Sequence, residues 1–298
     1  MRPLFPLLLA GLLAVTAAAP ATAAKRKAVH LVRIAAKTLD DPSRSVRVYL
    51  PPSYDQPDAH DRRYPLLFLL HGWPGSDDNW ADQGKAGATL DSLSARGEIP
   101  EVIAIMPNGH GLGMLGRSLW LNSFDGRSHL EDFVAQDLLA WADSTYRTIP
   151  DADHRTVIGL SDGGTGAFNL LMRYRDRFSG AGSLSGRFWL EKEVGMTAPL
   201  IGKGDSAVAF LEANSPGARL VRGDKDAFTG ARLYVDCGTS DHDISDNREF
   251  HAELEKAGVR HEYHEFPGGH GWKYWRTHLR DALLSLLGTR AEEKPATP

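Results

Sequence analysis

His154-Arg-Thr-Val-Ile-Gly-Leu-Ser161-Asp-Gly-Gly164 carries the reading that decides the fold. An apolar run, Thr156-Val-Ile-Gly159, leads into Gly-x-Ser-x-Gly, and a helical pattern follows over residues 164–174. A strand that turns at once into a helix holds the serine hydroxyl above the end of a sheet. Glycines two residues either side of Ser161 let strand and helix backbones approach where a Cβ would clash. The pattern predicts acyl-transfer chemistry. With only three fixed positions, its weight rests on what the rest of the chain supplies.

Outward from that turn the chain alternates strand and helix. Ser45-Val-Arg-Val-Tyr-Leu50 alternates polar and apolar residues, as a half-exposed strand does. Tyr64-Pro-Leu-Leu-Phe-Leu-Leu70, Glu101-Val-Ile-Ala-Ile-Met106 and Arg232-Leu-Tyr-Val-Asp236 are near-continuous apolar runs, the pattern of strands covered on both faces. Helical patterns occupy 87–96, 131–146, 164–174 and 246–257. The order implies an α/β fold: a mostly parallel central sheet with helices on both faces. The functional crevice of such a sheet lies at the carboxyl ends of its strands.

Ser161 needs a base, and the base needs an orienting group. His270, in Phe266-Pro-Gly-Gly-His-Gly-Trp272, follows the strand-like His261-Glu-Tyr-His-Glu-Phe266 and precedes a helix. Asp241, in Asp236-Cys-Gly-Thr-Ser-Asp-His-Asp243, directly follows another buried strand. The order Ser161, Asp241, His270 is that of α/β-hydrolases. Asp243 and Asp246 compete for the acidic role. Position after the strand favours Asp241, Asp243 stands in reserve, and Asp246 suits a helix cap. Oxyanion donors are expected from the amide of Asp162 and from the loop His71-Gly-Trp-Pro-Gly-Ser76, with Trp73 as its donor. His71 itself is expected to be structural.

These segments resemble the esterase-D-like branch of α/β-hydrolases, which includes feruloyl and acetyl-xylan esterases, enterochelin esterases, S-formylglutathione hydrolases and mycolyltransferases. Val48-Tyr-Leu-Pro-Pro52, the run 64–72, Met106-Pro-Asn-Gly109, 159–164 and Gly268-Gly-His-Gly-Trp272 carry the resemblance, in that family's order. It implies Ser161, Asp241 and His270 as the triad and no metal or other cofactor. One departure is Asp162, where the family often has an uncharged residue. Its carboxylate either faces the pocket, disfavouring anionic substrates, or turns to solvent or caps a turn. Trp120, Asn122 and Arg117, in or just after the glycine-rich stretch 108–120, and Trp272 beside His270 are candidate substrate-binding residues. Residues 188–228 are expected to form a cap beside the site.

Composition narrows the setting. Met1-Arg2, the apolar stretch 3–19 and Ala21-Thr-Ala23 have the form of a cleavable secretory signal over residues 1–24. The expected organisation is a signal peptide at 1–24, a catalytic domain at 25–290 and a disordered polar tail at 291–298. The location implied is secreted or periplasmic, with no membrane span left after cleavage. Loss of residues 1–24 removes Arg2 and no acidic residue, moving the net charge from −4 to −5. That charge gives no reason to expect nucleic acid as a partner. A single cysteine, Cys237, excludes an intrachain disulfide and reads as a buried strand thiol. His261-Glu-Tyr-His264 lacks the spacing of a zinc helix, and His242, Asp243 and Asp246 show no ligand spacing, so no metal is expected. The function expected is a serine carboxylic-ester hydrolase acting on a small-molecule or carbohydrate-linked ester. The alternatives are an acyltransferase with the same triad and, further off, a non-catalytic binding protein on this scaffold.

Overall fold

The computed structural model describes residues 28–39, 41, 43–193 and 198–288. The expected signal segment and the tail 291–298 lie outside the described residues. Eight strands form one sheet: β1 (Val29–Ala35), β2 (Ser43–Tyr49), β3 (Leu66–Leu70), β4 (Ile103–Pro107), β5 (Arg155–Leu160), β6 (Gly180–Leu184), β7 (Arg232–Gly238) and β8 (Glu262–Phe266). Their spatial order is β1-β2-β4-β3-β5-β6-β7-β8. β2 pairs antiparallel with β1 and β4, and every other pairing is parallel.

Among the described residues the α-helices are α1 (Asn79–Asp82), α2 (Ala86–Ala95), α3 (Leu130–Asp132), α4 (Leu139–Thr145), α5 (Asp162–Arg173), α6 (Ala198–Ile201), α7 (Asp205–Ala213), α8 (Pro216–Val221), α9 (Ile244–Lys256) and α10 (Trp272–Leu287). A π-helical turn, Phe133–Leu138, joins α3 to α4. The alternation of side chains along β3 separates two cores. Leu66, Phe68 and Leu70 face a cluster completed by Leu139 of α4, Phe168 and Leu171 of α5 and Phe250 and Leu254 of α9. Leu67 and Leu69 face the opposite cluster, with Leu90 and Leu93 of α2 and Leu279, Leu283 and Leu286 of α10. Helices thus cover both faces of the sheet, which is why β3 reads as five apolar residues in a row.

Two strands escape the pattern of the sequence. β1 is a half-exposed edge strand. β6, Gly-Ala-Gly-Ser-Leu, lacks the branched and aromatic residues that mark strands. Its glycines serve packing instead: a Cβ on Gly182 would stand 2.8 Å from Leu286 Cδ1, so α10 lies against bare backbone there. The described residues of 188–228 pack against α5 and α9. Phe188 stacks on Phe250 with ring centroids 3.8 Å apart and meets Phe168 edge-on at 5.2 Å. Its second apolar cluster joins Leu190, Leu200, Ile201, Ala207 and Leu211 to Leu119 and Leu121.

Candidate active site

Ser161 sits between the last residue of β5 and the first of α5, with φ 51° and ψ −126°. A side chain at positive φ is strained, and the surroundings must hold it there. The Ser161 amide donates to Leu184 O at 3.0 Å, while Ser161 O accepts from Gly164 N at 2.9 Å and starts the helix. The close approach demanded of the glycines is literal. A Cβ on Gly159 would stand 2.1 Å from the Gly163 carbonyl, and one on Gly163 would stand 2.4 Å from Leu70 O.

The loops after β7 and β8 bring the other two residues to this turn. Thr239 N donates to Phe266 O and Ser240 N to Gly268 O, each at 2.8 Å, so the two loops run as one bonded pair beyond the sheet. His270 Nε2 lies 3.0 Å from Ser161 Oγ, and His270 Nδ1 lies 3.0 Å from both oxygens of Asp241. Residues 109 and 29 apart in sequence therefore form one hydrogen-bonded chain. Asp241 is buried. Burial pushes its carboxyl up, but hydrogen bonds from His270, the Asp243 amide and the Ser185 hydroxyl outweigh that and hold it below the usual carboxylate range.

Asp243, the reserve acid, has Oδ2 3.7 Å from His270 Nδ1 and is paired with Arg187 Nε at 3.0 Å. Asp246 accepts from the Phe188 amide at 2.7 Å, which ties α9 to the segment after β6. Sequence reasoning passed over Ser185. It follows β6, has φ 55°, is fully buried, and receives Trp275 Nε1–H at 3.2 Å while bonding to Asp241. Its only sequence signal is a serine at the end of a strand, and β6 itself was not legible.

On the other side of Ser161, the loop after β3 is pinned from below. Leu70 O accepts from Trp80 Nε1 and His71 O from Trp120 Nε1, both at 2.9 Å. His71 Nε2 accepts the Gly109 amide at 2.9 Å, and its Nδ1 lies 2.7 Å from Gly72 O, so the neutral ring bridges the loops after β3 and β4. Burial lowers its pKa to about 4, with the Gly72 carbonyl opposing.

Asp162 corrects both expectations for it. Its carboxylate neither faces a substrate pocket as a free charge nor turns to solvent. It is buried in a two-pronged ion pair with Arg117, Nε to Oδ2 and Nη2 to Oδ1 each at 2.7 Å. Arg117 Cζ also lies 5.4 Å from the centre of the Trp73 ring. One guanidinium thus joins the first residue of α5 to the loop after β3.

The structure places three further candidates as follows. Arg117 is committed to this pair and almost wholly buried rather than free for substrate. Trp120 is a core residue, packed on His71 at 5.0 Å and filling the space that Gly109 and Gly166 leave open. Asn122 is a structural clamp on α3, exchanging hydrogen bonds with the Asp132 side chain at 3.0 Å and its amide at 3.1 Å. Trp272 keeps partial exposure and packs edge-on against Trp80 and Trp275. The cavity beside Trp73, Arg117 and Asp162 is only about 10 Å³. One of about 570 Å³ is lined by residues preceding β7 and β8, at the opposite end of the sheet from Ser161. Cys237 is buried, and burial raises its thiol pKa far above the usual range, which leaves it inert. No helix among the described residues is long and apolar enough to cross a membrane.

A family model described as "Putative esterase" matches residues 38–286. An esterase of Mycobacterium tuberculosis (strain H37Rv) is 30% identical over 254 residues, covering 76% of this chain and 52% of its own length. An acetyl esterase of Caldicellulosiruptor saccharolyticus is 26% identical over 248 residues, covering 76% of this chain and 85% of its own. The solved structure of a ferulic acid esterase aligns with a TM-score of 0.77 at 29% identity, covering 87% of this chain and 97% of the other. The chain spans about half the length of the mycobacterial relative. The sheet order and these neighbours give the α/β-hydrolase fold.

Proposed function

The chain belongs to the esterase family, and on that premise we propose that it is a serine carboxylic-ester hydrolase with residues 25–290 as its catalytic domain. The observation that carries the reading is the unbroken bonded chain from Ser161 Oγ through His270 to Asp241 on a strained strand-to-helix turn. Ser161 Oγ attacks the ester carbonyl as His270 Nε2 takes its proton. The oxyanion is held by the amide of Asp162, a first-turn amide of α5 that has no partner within the helix, and by that of Trp73. His270 returns the proton to the departing alcohol and leaves an acyl-Ser161. Water, deprotonated by the same imidazole, then releases the acid and restores the serine. Asp241 fixes the His270 tautomer with Nδ1–H toward the carboxylate and stabilises the imidazolium.

The relatives' names place acetyl and feruloyl esters first among substrates to try. Export follows as part of the proposal from the signal-like residues 1–24. The test pairs a fluorophosphonate probe with a p-nitrophenyl ester panel that includes feruloyl and acetylated-sugar esters. Wild type should be labelled on Ser161, and Ser161→Ala should lose both the label and ~10⁴-fold or more of the turnover. Turnover of wild-type order in Ser161→Ala would remove this residue from the chemistry.

A further inference from the structure

The base of the triad stands inside a larger group of metal-binding side chains. His242, next to Asp241, lays its ring beside that of His270 with centroids 4.4 Å apart. Its Nδ1 is 3.8 Å from Asp241 Oδ1, and its Nε2 is 3.4 Å from Asp243 Oδ2. His270 Nδ1 is 3.0 Å from Asp241 Oδ1 and 3.7 Å from Asp243 Oδ2. One ligand atom from each of the four residues lies within 4.8 Å of all the others. A tetrahedral ion with bonds of about 2.0–2.2 Å sets its ligand atoms about 3.3–3.6 Å apart. Taken through His242 Nε2, the separations of 3.4, 3.0 and 3.7 Å bracket that value, while the 3.8 Å separation runs through the ring's other nitrogen, which the same ion would leave free.

We propose that Asp241, His242, Asp243 and His270 form a site for one tetrahedral divalent transition-metal ion, best matched by zinc, and that its occupancy switches the esterase off. Two imidazoles and two carboxylates make an N2O2 set suited to zinc. Magnesium and calcium need six or more oxygen ligands and find too few here. The ion has a way in, since the His242 side chain is 58% exposed. The two carboxylates balance its charge. Arg187 opposes it, with Nε 3.1 and 3.0 Å from the oxygens of Asp243 and Nη2 3.3 Å from His242 Nε2. That guanidinium keeps the site reversible rather than permanently filled.

Inhibition follows from proton accounting. Neutral His270 carries one proton. A metal ion on Nδ1 takes the lone pair there and obliges that proton to reside on Nε2, the atom 3.0 Å from Ser161 Oγ. A nitrogen already bearing hydrogen cannot accept the serine proton, so acylation stops. Asp241 leaves its orienting role at the same moment. The spacing in sequence hides this site, because His270 joins the other three ligands from 29 residues away.

The binding arm of the test uses Ser161→Ala, so that it is independent of the proposed ester hydrolysis. Titration with Zn²⁺ by calorimetry, and with Co²⁺ by visible absorbance, should give one ion per chain and the intense band of tetrahedral cobalt, with no response to Mg²⁺. Adding His242→Ala should weaken Zn²⁺ binding by about tenfold or more, the scale on which even outer-shell partners of a metal site are felt. Adding Arg187→Gln should tighten it. In the inhibition arm, Zn²⁺ should abolish wild-type p-nitrophenyl acetate hydrolysis in step with occupancy, EDTA should restore it, and His242→Ala should raise the inhibition constant relative to its own metal-free rate. Zn²⁺ binding that is indifferent to His242→Ala, or cobalt without the tetrahedral band, would overturn the site. Binding that depends on His242 without inhibition of an active enzyme would overturn the switch. An enzyme with no ester turnover but a His242-dependent site would count against the proposed hydrolase alone.

Discussion

Replacing Arg117 by Met isolates the most unusual contact near Ser161. The Arg117 and Asp162 side chains are 3% and 6% exposed and share two charge-assisted hydrogen bonds of 2.7 Å. Removing the cation strands the Asp162 carboxylate in a buried site. The penalty for breaking a buried pair from one side is about 3–5 kcal/mol. Loss of the guanidinium over Trp73 adds about 0.5–2 kcal/mol. Asp162→Asn, which leaves the cation stranded, should cost a similar amount. The double variant, Arg117→Met with Asp162→Asn, should recover most of the loss, since neither charge is then buried alone. Urea denaturation followed by tryptophan fluorescence gives the three free energies, and the cycle gives the coupling. Because the pair joins Asp162 to Trp73, Arg117→Met should also lower kcat by about 10²–10³, the effect of losing one aligned oxyanion donor. A loss below about 1 kcal/mol in Arg117→Met, with an additive double variant, would mean that the pair behaves like an exposed salt bridge and that this reasoning is wrong.

Two further predictions concern titration and positioning. Burial lowers the pKa of His71 from 6.5 to about 4 and, against the attraction of Arg173, raises that of Glu131 from 4.5 to about 7. Unfolded His71 binds a proton that the fold refuses, so its contribution is complete above pH 6.5 and fades toward pH 4. Folded Glu131 keeps a proton that the unfolded chain releases, so its contribution is complete below pH 4.5 and fades as pH rises through 7. Between pH 4.5 and 6.5 the two oppose each other at roughly 2–3 kcal/mol apiece. Denaturation across that range should show stability falling with rising pH in His71→Gln and increasing in Glu131→Gln; parallel profiles would refute both assignments. Ser185→Ala, which removes a hydrogen bond to Asp241, should lower kcat by about tenfold with little change in KM, since a bond to a charged group contributes about 1.5–3 kcal/mol. A change confined to KM would show that Ser185 does not position the acid.

The chain alone determined the alternating strands and helices, the elbow at Ser161, and the order of serine, acid and histidine. These are local signals: apolar runs such as 66–70, glycines at fixed offsets, and loops that begin where strands end. Tertiary structure decided everything that depends on which loops meet. Only packing reveals that Gly180–Leu184 is a central strand, because Gly182 is required by Leu286 of α10 and Gly180 by Thr156 of β5 rather than by strand propensity. Only packing turns Arg117, Trp120 and Asn122 from candidate pocket residues into an ion pair, a core wedge and a clamp. A polar or aromatic side chain in a glycine-rich loop looks the same in sequence whether it faces substrate or a buried partner. Asp162 carries that lesson furthest, since the partner that neutralises its carboxylate lies 45 residues earlier. The interactions that set its role are pairwise and long-range, and no periodicity records them.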